Sequence, residues 1–497
     1  MTLLERRGRT LTTEGMDHKR YRWVAMAVIL LGTFMVILDT SIVNVALPQI
    51  GADFHSVAAV DWIVTSYLLA VGVSIMATGW LADHFGKKRV FVVSLSAFTL
   101  GSILCALAPS LPFLVVARVI QGLGGGALMP LGMAMIYELF APEDRGMALG
   151  IWGVAAMAAP AVGPVLGGFL VTTVSWRLLF VINVPIGFVG VPAAALLLRD
   201  LGARDARRLD VTGLLFSAVG LVLVLLALSE APTWGWGSTT FIVTMVVGVA
   251  LLGVWIVRSL HISGPLIELR MFRIPAFSLT MVIVWLITIS QFARLVFIPL
   301  EFETLRGVSA LSVGLMLTPS ALGVAMTMPI GGRLADRIGA RIPVSIGLAI
   351  TASSFWPLGH LQIDTPMWVV SIWLFVGGLG VGLAMMPNTV IAMNSVHGRF
   401  VAQASAVRSL NRQVAASLGT AVLASFLASR IGPIGSHAGK PTVSALAGYN
   451  DVFLIALAFA LGALTCAFWL PGKEAARALQ EERRAEGPVA GFLAEFE

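Results

Sequence analysis

The chain has 497 residues, 58% hydrophobic and 12% charged, with a mean hydropathy of +0.91. An average soluble domain is about 25% charged, so a soluble globular enzyme is excluded and an all-α polytopic membrane protein is expected. The formal charge of +7 would suit nucleic acid, but most of the basic residues fall in short loops on one side of the apolar segments.

Residues 1–22 form a polar, basic segment. The apolar run after it is too long for a cleaved signal peptide and lacks a small-residue cleavage site. Apolar segments then recur at 22–50, 60–82, 89–108, 112–137, 147–171, 178–198, 211–230, 240–258, 276–300, 309–333, 342–361, 366–394, 402–430 and 452–470. Each is near the roughly 20 residues that cross a bilayer, which predicts about fourteen spans. With the N-terminus inside, inner loops and tails carry 25 Lys and Arg, and the outer ones only Arg177, Arg306, Arg430 and Lys440. That asymmetry places both termini in the cytoplasm. Trp234 and Trp236 fit an interfacial aromatic belt. The charged tail after Pro471 reads as solvated.

Asp39 lies well inside the first span. A carboxylate there costs on the order of 3 kcal/mol on insertion scales, so it must face partners or a water-filled cavity. It is either a helix-packing acid or the first candidate proton carrier. Arg118 is the second intramembrane charge. Asp39 precedes Leu47 by 8 residues and Arg118 follows Phe113 by 5, so at about 1.5 Å per residue the two lie at similar depth. A neighbouring guanidinium and access to water act oppositely on the proton affinity of an acid. A movement that alters either one is a sufficient coupling device; a static pair is the structural alternative.

Gly79, Asp83 and Gly86 precede Lys87, Lys88 and Arg89, and the pattern returns as Gly332, Asp336, Arg337, Gly339 and Arg341 at a shift of 253 residues. The glycines permit close helix approach and tight turns. Asp83, facing Lys87, Lys88 and Arg89, can tie two helices together at the cytoplasmic side. The alternative is that these loops act only as topology signals. Gly122-Leu123-Gly124 with Met129-Pro130 is echoed by Gly378-Leu379-Gly380 with Met386-Pro387. The repeats start on the same side and are therefore parallel, related by an axis along the membrane normal. The expected organisation is a cytoplasmic segment 1–22, a six-helix bundle 23–200, two inserted helices within 201–275, a second bundle 276–470 and a tail 471–497. Pro160, Gly163, Pro164, Gly167 and Gly168 give the fifth span its small residues and bends.

Arg294 lies seven residues before Glu301, on nearly the same helix face. Two buried arginines and one buried aspartate leave net positive charge, so Glu301 is the expected partner of Arg294. The pair is either a clamp or part of a site for an anionic or zwitterionic group. Asn44, Tyr67, Gln121, Met129, Gln291, Trp373, Met386, Asn388 and Arg412 are further candidates for lining a central cavity, since methionine and aromatic surfaces adapt to varied apolar ligands. Most such residues in a membrane helix serve packing, and fewer than half are expected to touch substrate.

Some chemistry is excluded. Gly439-Lys440-Pro441-Thr442 fails the phosphate-loop pattern both upstream and after the lysine, so no nucleotide motor is encoded. Gly122-x-Gly124 and Gly378-x-Gly380 lie in spans and are not dinucleotide fingerprints. Cys105 and Cys466 are unpaired in pattern, and the histidines lack metal spacing.

Gly79-x-Leu81-Ala82-Asp83-x-x-Gly86-Lys87-Lys88-Arg89 resembles the signature loop of the major facilitator superfamily. Leu38-Asp39-Thr40-Ser41-Ile42-Val43-Asn44-Val45-Ala46-Leu47-Pro48 resembles the first helix of its fourteen-helix drug/proton antiporter branch. Trp62 to Tyr67, Arg118-x-x-Gln121-Gly122, Gly163-Pro164-x-x-Gly167-Gly168, Trp176 to Gly187, Leu209-Asp210-x-x-Gly213 and Asn411-Arg412-Gln413 resemble further markers of that branch. The likeness spans nearly the whole chain from Trp23 to Leu470. It implies a major facilitator fold of two six-helix bundles plus two extra helices. The loop then acts as a latch that breaks on inward opening, Arg118 helps couple protonation to transport, and the fifth-span motif marks exporters. It also implies no cofactor, with a proton gradient as energy source, and a bacterial cytoplasmic membrane location. The expected partners are a small amphipathic substrate, protons and membrane lipid, without nucleic acid; the oligomeric state stays open, a monomer being compatible. A dedicated exporter of one metabolite, antibiotic or lipid, and a non-transporting receptor on the same fold, are the alternatives. The chain departs from the branch at Pro299-Leu300-Glu301-Phe302-Glu303, where an uncharged end is usual, and this puts a preference for lipophilic cations in doubt.

Overall fold

The computed structural model describes residues 18–55, 61–141, 143–173, 175–200, 210–262, 264–432 and 442–472. The described residues are helical, with no strand. Six helices form the first half: α1 (His18–Asp53), α2 (Asp61–Phe85), α3 (Lys87–Ala106), α4 (Leu111–Leu139), α5 (Arg145–Thr173) and α6 (Leu178–Val181 continuing as Asn183–Leu197). Two follow between the halves, α7 (Val211–Trp234) and α8 (Thr239–His261). The second half holds α9 (Pro275–Leu300), α10 (Ala310–Ile338), α11 (Arg341–Leu358), α12 (Met367–Asn394), α13 (Val401–Ile431) and α14 (Val443–Ala467). Twelve of these are long and apolar enough to cross a membrane. α14 starts nine residues before the expected 452: Thr442 caps it by accepting from the Ala445 amide. The polar stretch around Tyr449 and Asn450 is carried inside the helix, where Asn450 donates to the Leu361 carbonyl.

The sequence repeat is visible in the packing. In the first half α4 packs on α2 and α3, α5 on α1, and α6 on α1 and α3; in the second, α12 packs on α10 and α11, α13 on α9, and α14 on α9 and α11. The small residues explain the closeness. A Cβ on Gly122 would meet the Tyr67 carbonyl at 2.6 Å, and one on Gly380 would meet the Gly347 carbonyl at 2.5 Å. Gly86 and Gly339 occupy matching turns with φ of +89° and +87°, where a side chain is strained.

The halves join at the end that carries Lys87, Arg145, Arg333 and Arg341, called here the basic end. α5 crosses α10, and α2 crosses α13. The α5–α10 crossing brings Gly146 against Gly332 backbone to backbone. α7 lies beside both α2 and α13, and α8 packs on α7. Trp236, expected at an interface, donates its indole N–H to Ser425 of α13.

Candidate functional site

A carboxylate inside an apolar helix needs hydrogen-bonding partners, and for Asp39 neighbouring helices supply them. Asp39 is fully buried, and three N–H donors converge on it. Arg118 Nη1 of α4 donates to Oδ2 at 2.6 Å, while Gln121 Nε2, one turn on, donates to Oδ1 at 2.8 Å. Asn183 Nδ2, at the start of the longer α6 piece, donates to Oδ1 at 3.0 Å. Gln121 also accepts from Arg118 Nη1 at 2.7 Å and donates to Ser102 Oγ at 2.7 Å. Arg118 Nε donates to the Ile63 carbonyl at 3.1 Å. Its guanidinium carbon sits 4.0 Å from the Tyr67 ring centroid, close enough for a cation–π contact.

This network comes from five helices of one half. Charge-assisted bonds to a buried carboxylate contribute about 1.5–3 kcal/mol each, so these donors tie the helices firmly together. Protonating Asp39 removes the ion pair and leaves Arg118 with Gln121, the Ile63 carbonyl and the Tyr67 ring. The Tyr67 hydroxyl and Asn183 Oδ1 are buried without partners. The cluster thus ties α1, α4 and α6 together through a single buried carboxylate.

Sequence depth placed Asp39 and Arg118 together, and they touch. Tyr67 and Gln121, expected on a cavity wall, belong to this cluster. Asn183 and Ser102 were missed. Asn183 lay in a recognised stretch, and its polarity inside an apolar helix was the available signal. The side chains of Asn44, Pro160 and Pro164 lie outside the described residues. Met386 is buried in the core and Met129 packs against it, while Trp373 packs on the second-half cluster. Asn388 Nδ2 donates to the Thr280 carbonyl at 3.2 Å.

The expected Arg294–Glu301 pair is not formed. The chain makes a π-helical turn over Glu301–Leu305, with the Arg306 amide donating to the Glu301 carbonyl. That turn brings Arg306 back onto Glu301, its Nε and Nη2 donating to Oε1 at 3.1 and 2.6 Å. Arg294 is buried (3% exposed), and its Nη2 donates to Gln291 at 2.6 Å. Its Nε and Nη1 have no partner.

The loop motif is also rearranged relative to expectation. The Lys87 ammonium reaches Glu138 of α4 at 2.5 Å rather than Asp83. Gln403, on the first turn of α13, donates to Asp83 Oδ2 at 3.1 Å. In the repeat, Asp336 accepts the backbone amides of Gly146 and Met147 at 3.1 and 3.3 Å. Each acid therefore meets the first turn of the fifth helix of the opposite half. For Asp336 this is a favourable place for negative charge. Arg89, Arg337 and Arg341 are exposed. Tyr137 donates to Asn394 at 2.6 Å, and Ser405 to the Pro130 carbonyl at 2.7 Å, adding two more ties between halves. In the fifth-span motif, Gly163 packs against Ser41 of α1, whereas a Cβ on Gly168 would meet nothing within 4 Å.

Two pseudo-symmetric helical bundles, joined at one end and holding a buried acid, define a membrane transporter. A Major Facilitator Superfamily profile matches residues 29–420 and 280–494, and the chain belongs to that superfamily. It is 32% identical over 459 residues to the Tetracenomycin C resistance and export protein of Streptomyces glaucescens, covering 91% of this chain and 85% of that relative. Multidrug resistance protein Stp of Mycobacterium tuberculosis is 36% identical over 409 residues, covering 80% and 74%. In fold, the solved proton:xylose symporter XylE bound to 6-bromo-6-deoxy-D-glucose matches with a TM-score of 0.63 at 15% identity, covering 93% of this chain and 100% of that one.

Proposed function

We propose that the chain is a proton-coupled exporter that moves small amphipathic compounds out of a bacterial cell by alternating access. The reading takes fourteen spans with both termini in the cytoplasm, so the basic end is the inner side. The observation that carries it is the buried Asp39–Arg118–Gln121–Asn183 cluster, where a carboxylate lies at membrane depth against a guanidinium and two amides. The relatives named for multidrug resistance and antibiotic export support the direction of transport.

In the proposed cycle, Asp39 is ionised while the basic end is closed. A proton arriving from outside neutralises it, frees Arg118 and loosens the joints among α1, α4 and α6. The latch then opens inward: Asp83 leaves Gln403, Asp336 leaves the first turn of α5, and Gly146 separates from Gly332. Substrate binding from inside and proton release return the carrier. α5 carries both the latch and the Gly163 contact with α1, which links proton site to gate mechanically. No cofactor is needed, and the proton gradient supplies the energy.

The test is lumenal pH in reconstituted vesicles during addition of lipophilic cations, zwitterions and anions. Substrate-dependent proton movement supports the reading. Its absence across those classes and a metabolite and lipid panel, in verified and oriented protein, overturns it.

A further inference from the structure

α13 runs along the seam between the two halves, and its sequence there is Arg408-Ser409-Leu410-Asn411-Arg412-Gln413. Arg408 and Arg412 are one turn apart and share a face. At about 1.5 Å per residue they lie roughly 10 and 17 Å from the basic end of the helix, so Arg412 is near the bilayer midplane. Their surroundings are fixed on both sides. Ser405 donates to Pro130 of α4, Asn411 to the Met281 carbonyl of α9 at 2.9 Å, and Gln413 to the Leu68 carbonyl of α2 at 2.8 Å.

Arg408 is buried (7% exposed), its Nη1 has no hydrogen-bond partner, and neither arginine has an ion-pair partner among the described residues. The acids on the helices packed against α13 are otherwise engaged or distant in sequence depth. Asp83 meets Gln403, Glu138 meets Lys87, Glu230 bonds Thr233, and Asp451 meets Arg430. Asp39 is held by Arg118 in the other half. An isolated buried cation such as Arg408 is expensive unless paired, and the half-buried Arg412 one turn on repels it as well. Arg294, the other buried arginine of this half, has two nitrogens without a partner and no carboxylate beside it among the described residues. The first half neutralises its buried cation; the second does not.

We propose that Arg408 and Arg412 bind the anionic group of the exported compound, a carboxylate, sulfonate or phosphate on an amphipathic body. This rests on the transport reading and names its substrate class. Moving one monoanion out against one proton in carries two positive charges inward per cycle, so transport is accelerated by an inside-negative potential. Exchange of a monovalent cation for a proton moves no net charge.

A matched pair of probes tests it: N-dansyl-6-aminohexanoate, an anion, and N-dansylcadaverine, a cation on the same fluorophore. Both are titrated onto the purified full-length protein and then used to drive proton movement in vesicles with and without a potassium-diffusion potential. The expected results are tighter binding of the anion and potential-stimulated anion–proton exchange. Arg408→Gln with Arg412→Gln is expected to weaken anion binding at least about tenfold, the loss of one charge-assisted bond or more. The double lysine variant, which keeps the charge, should retain most of it, and equal melting temperatures exclude misfolding. If the cation alone binds and moves protons, the substrate class is wrong and the transport reading stands. If the anion binds through the arginines but no proton moves, the site stands and proton coupling fails. Anion binding unchanged in the double glutamine variant overturns the assignment.

Discussion

Gly150→Ala is a minimal perturbation of the proposed gate. Gly150 sits where α5 crosses α10, and a Cβ there would lie 2.7 Å from Pro329 Cα and 2.9 Å from the Met328 carbonyl. Both are backbone atoms of a packed helix and cannot swing aside, so the helices must part by roughly 0.5–1 Å to restore contact, an overpacking that costs about 1–3 kcal/mol. The cost falls only on the state in which α5 and α10 are joined. The equilibrium therefore moves toward the state open at the basic end by about 5- to 150-fold. Spin labels at Glu143→Cys and Ile338→Cys, both exposed positions on opposite halves, read this by double electron–electron resonance. The variant should gain a long-distance population that the parent lacks. Gly253→Ala on α8, where a Cβ meets nothing within 4 Å, should leave the distribution unchanged. An unaltered distribution in Gly150→Ala would refute the claim that this crossing is the closed gate.

Asp336→Ala removes a carboxylate that accepts two backbone amides across the same joint, and should lengthen the same spin-label distance while Arg337→Ala, an exposed position, does not. Asn183→Leu removes a donor from buried Asp39 at about 1.5–3 kcal/mol; melting curves should show a large loss in the parent and a smaller one in the Asp39→Asn background, whereas equal losses would mean that the amide acts elsewhere. Glu301→Gln should destabilise through Arg306, and its effect should add to that of Arg294→Gln. Strong coupling between those two would restore the pairing that the π-helical turn replaces.

Hydropathy made the helices legible, and the recurrence of Gly79-x-Leu81-Ala82-Asp83 as Gly332-x-Leu334-Ala335-Asp336 made the two halves legible. The depth count put Asp39 and Arg118 at one level because both sit on regular helices, for which rise per residue converts directly to position. The same reasoning failed for Arg294 and Glu301. Seven residues of helix separate Arg294 from Glu301 by about 10 Å along the axis, while the π-helical turn after Glu301 folds Arg306 back onto it, and Arg306 was assigned to an outer loop. Lys87 was read against the nearest acid in sequence, while in three dimensions Glu138 of α4 is nearer. Asn183 stayed hidden since nothing in a linear pattern says which helix a lone amide will face. Asp336 at the start of α5 is a contact between repeats, and such contacts leave no local signature at all.

The central claim is that Asp39 carries the coupled proton, and transport by Asp39→Asn tests it most directly. Asparagine keeps the volume and a hydrogen-bonding amide but cannot exchange a proton. The variant should still equilibrate substrate by exchange across vesicle membranes, yet show no substrate-dependent change in lumenal pH and no accumulation driven by a proton gradient. Accumulation at the wild-type level in verified, oriented Asp39→Asn vesicles would contradict the account.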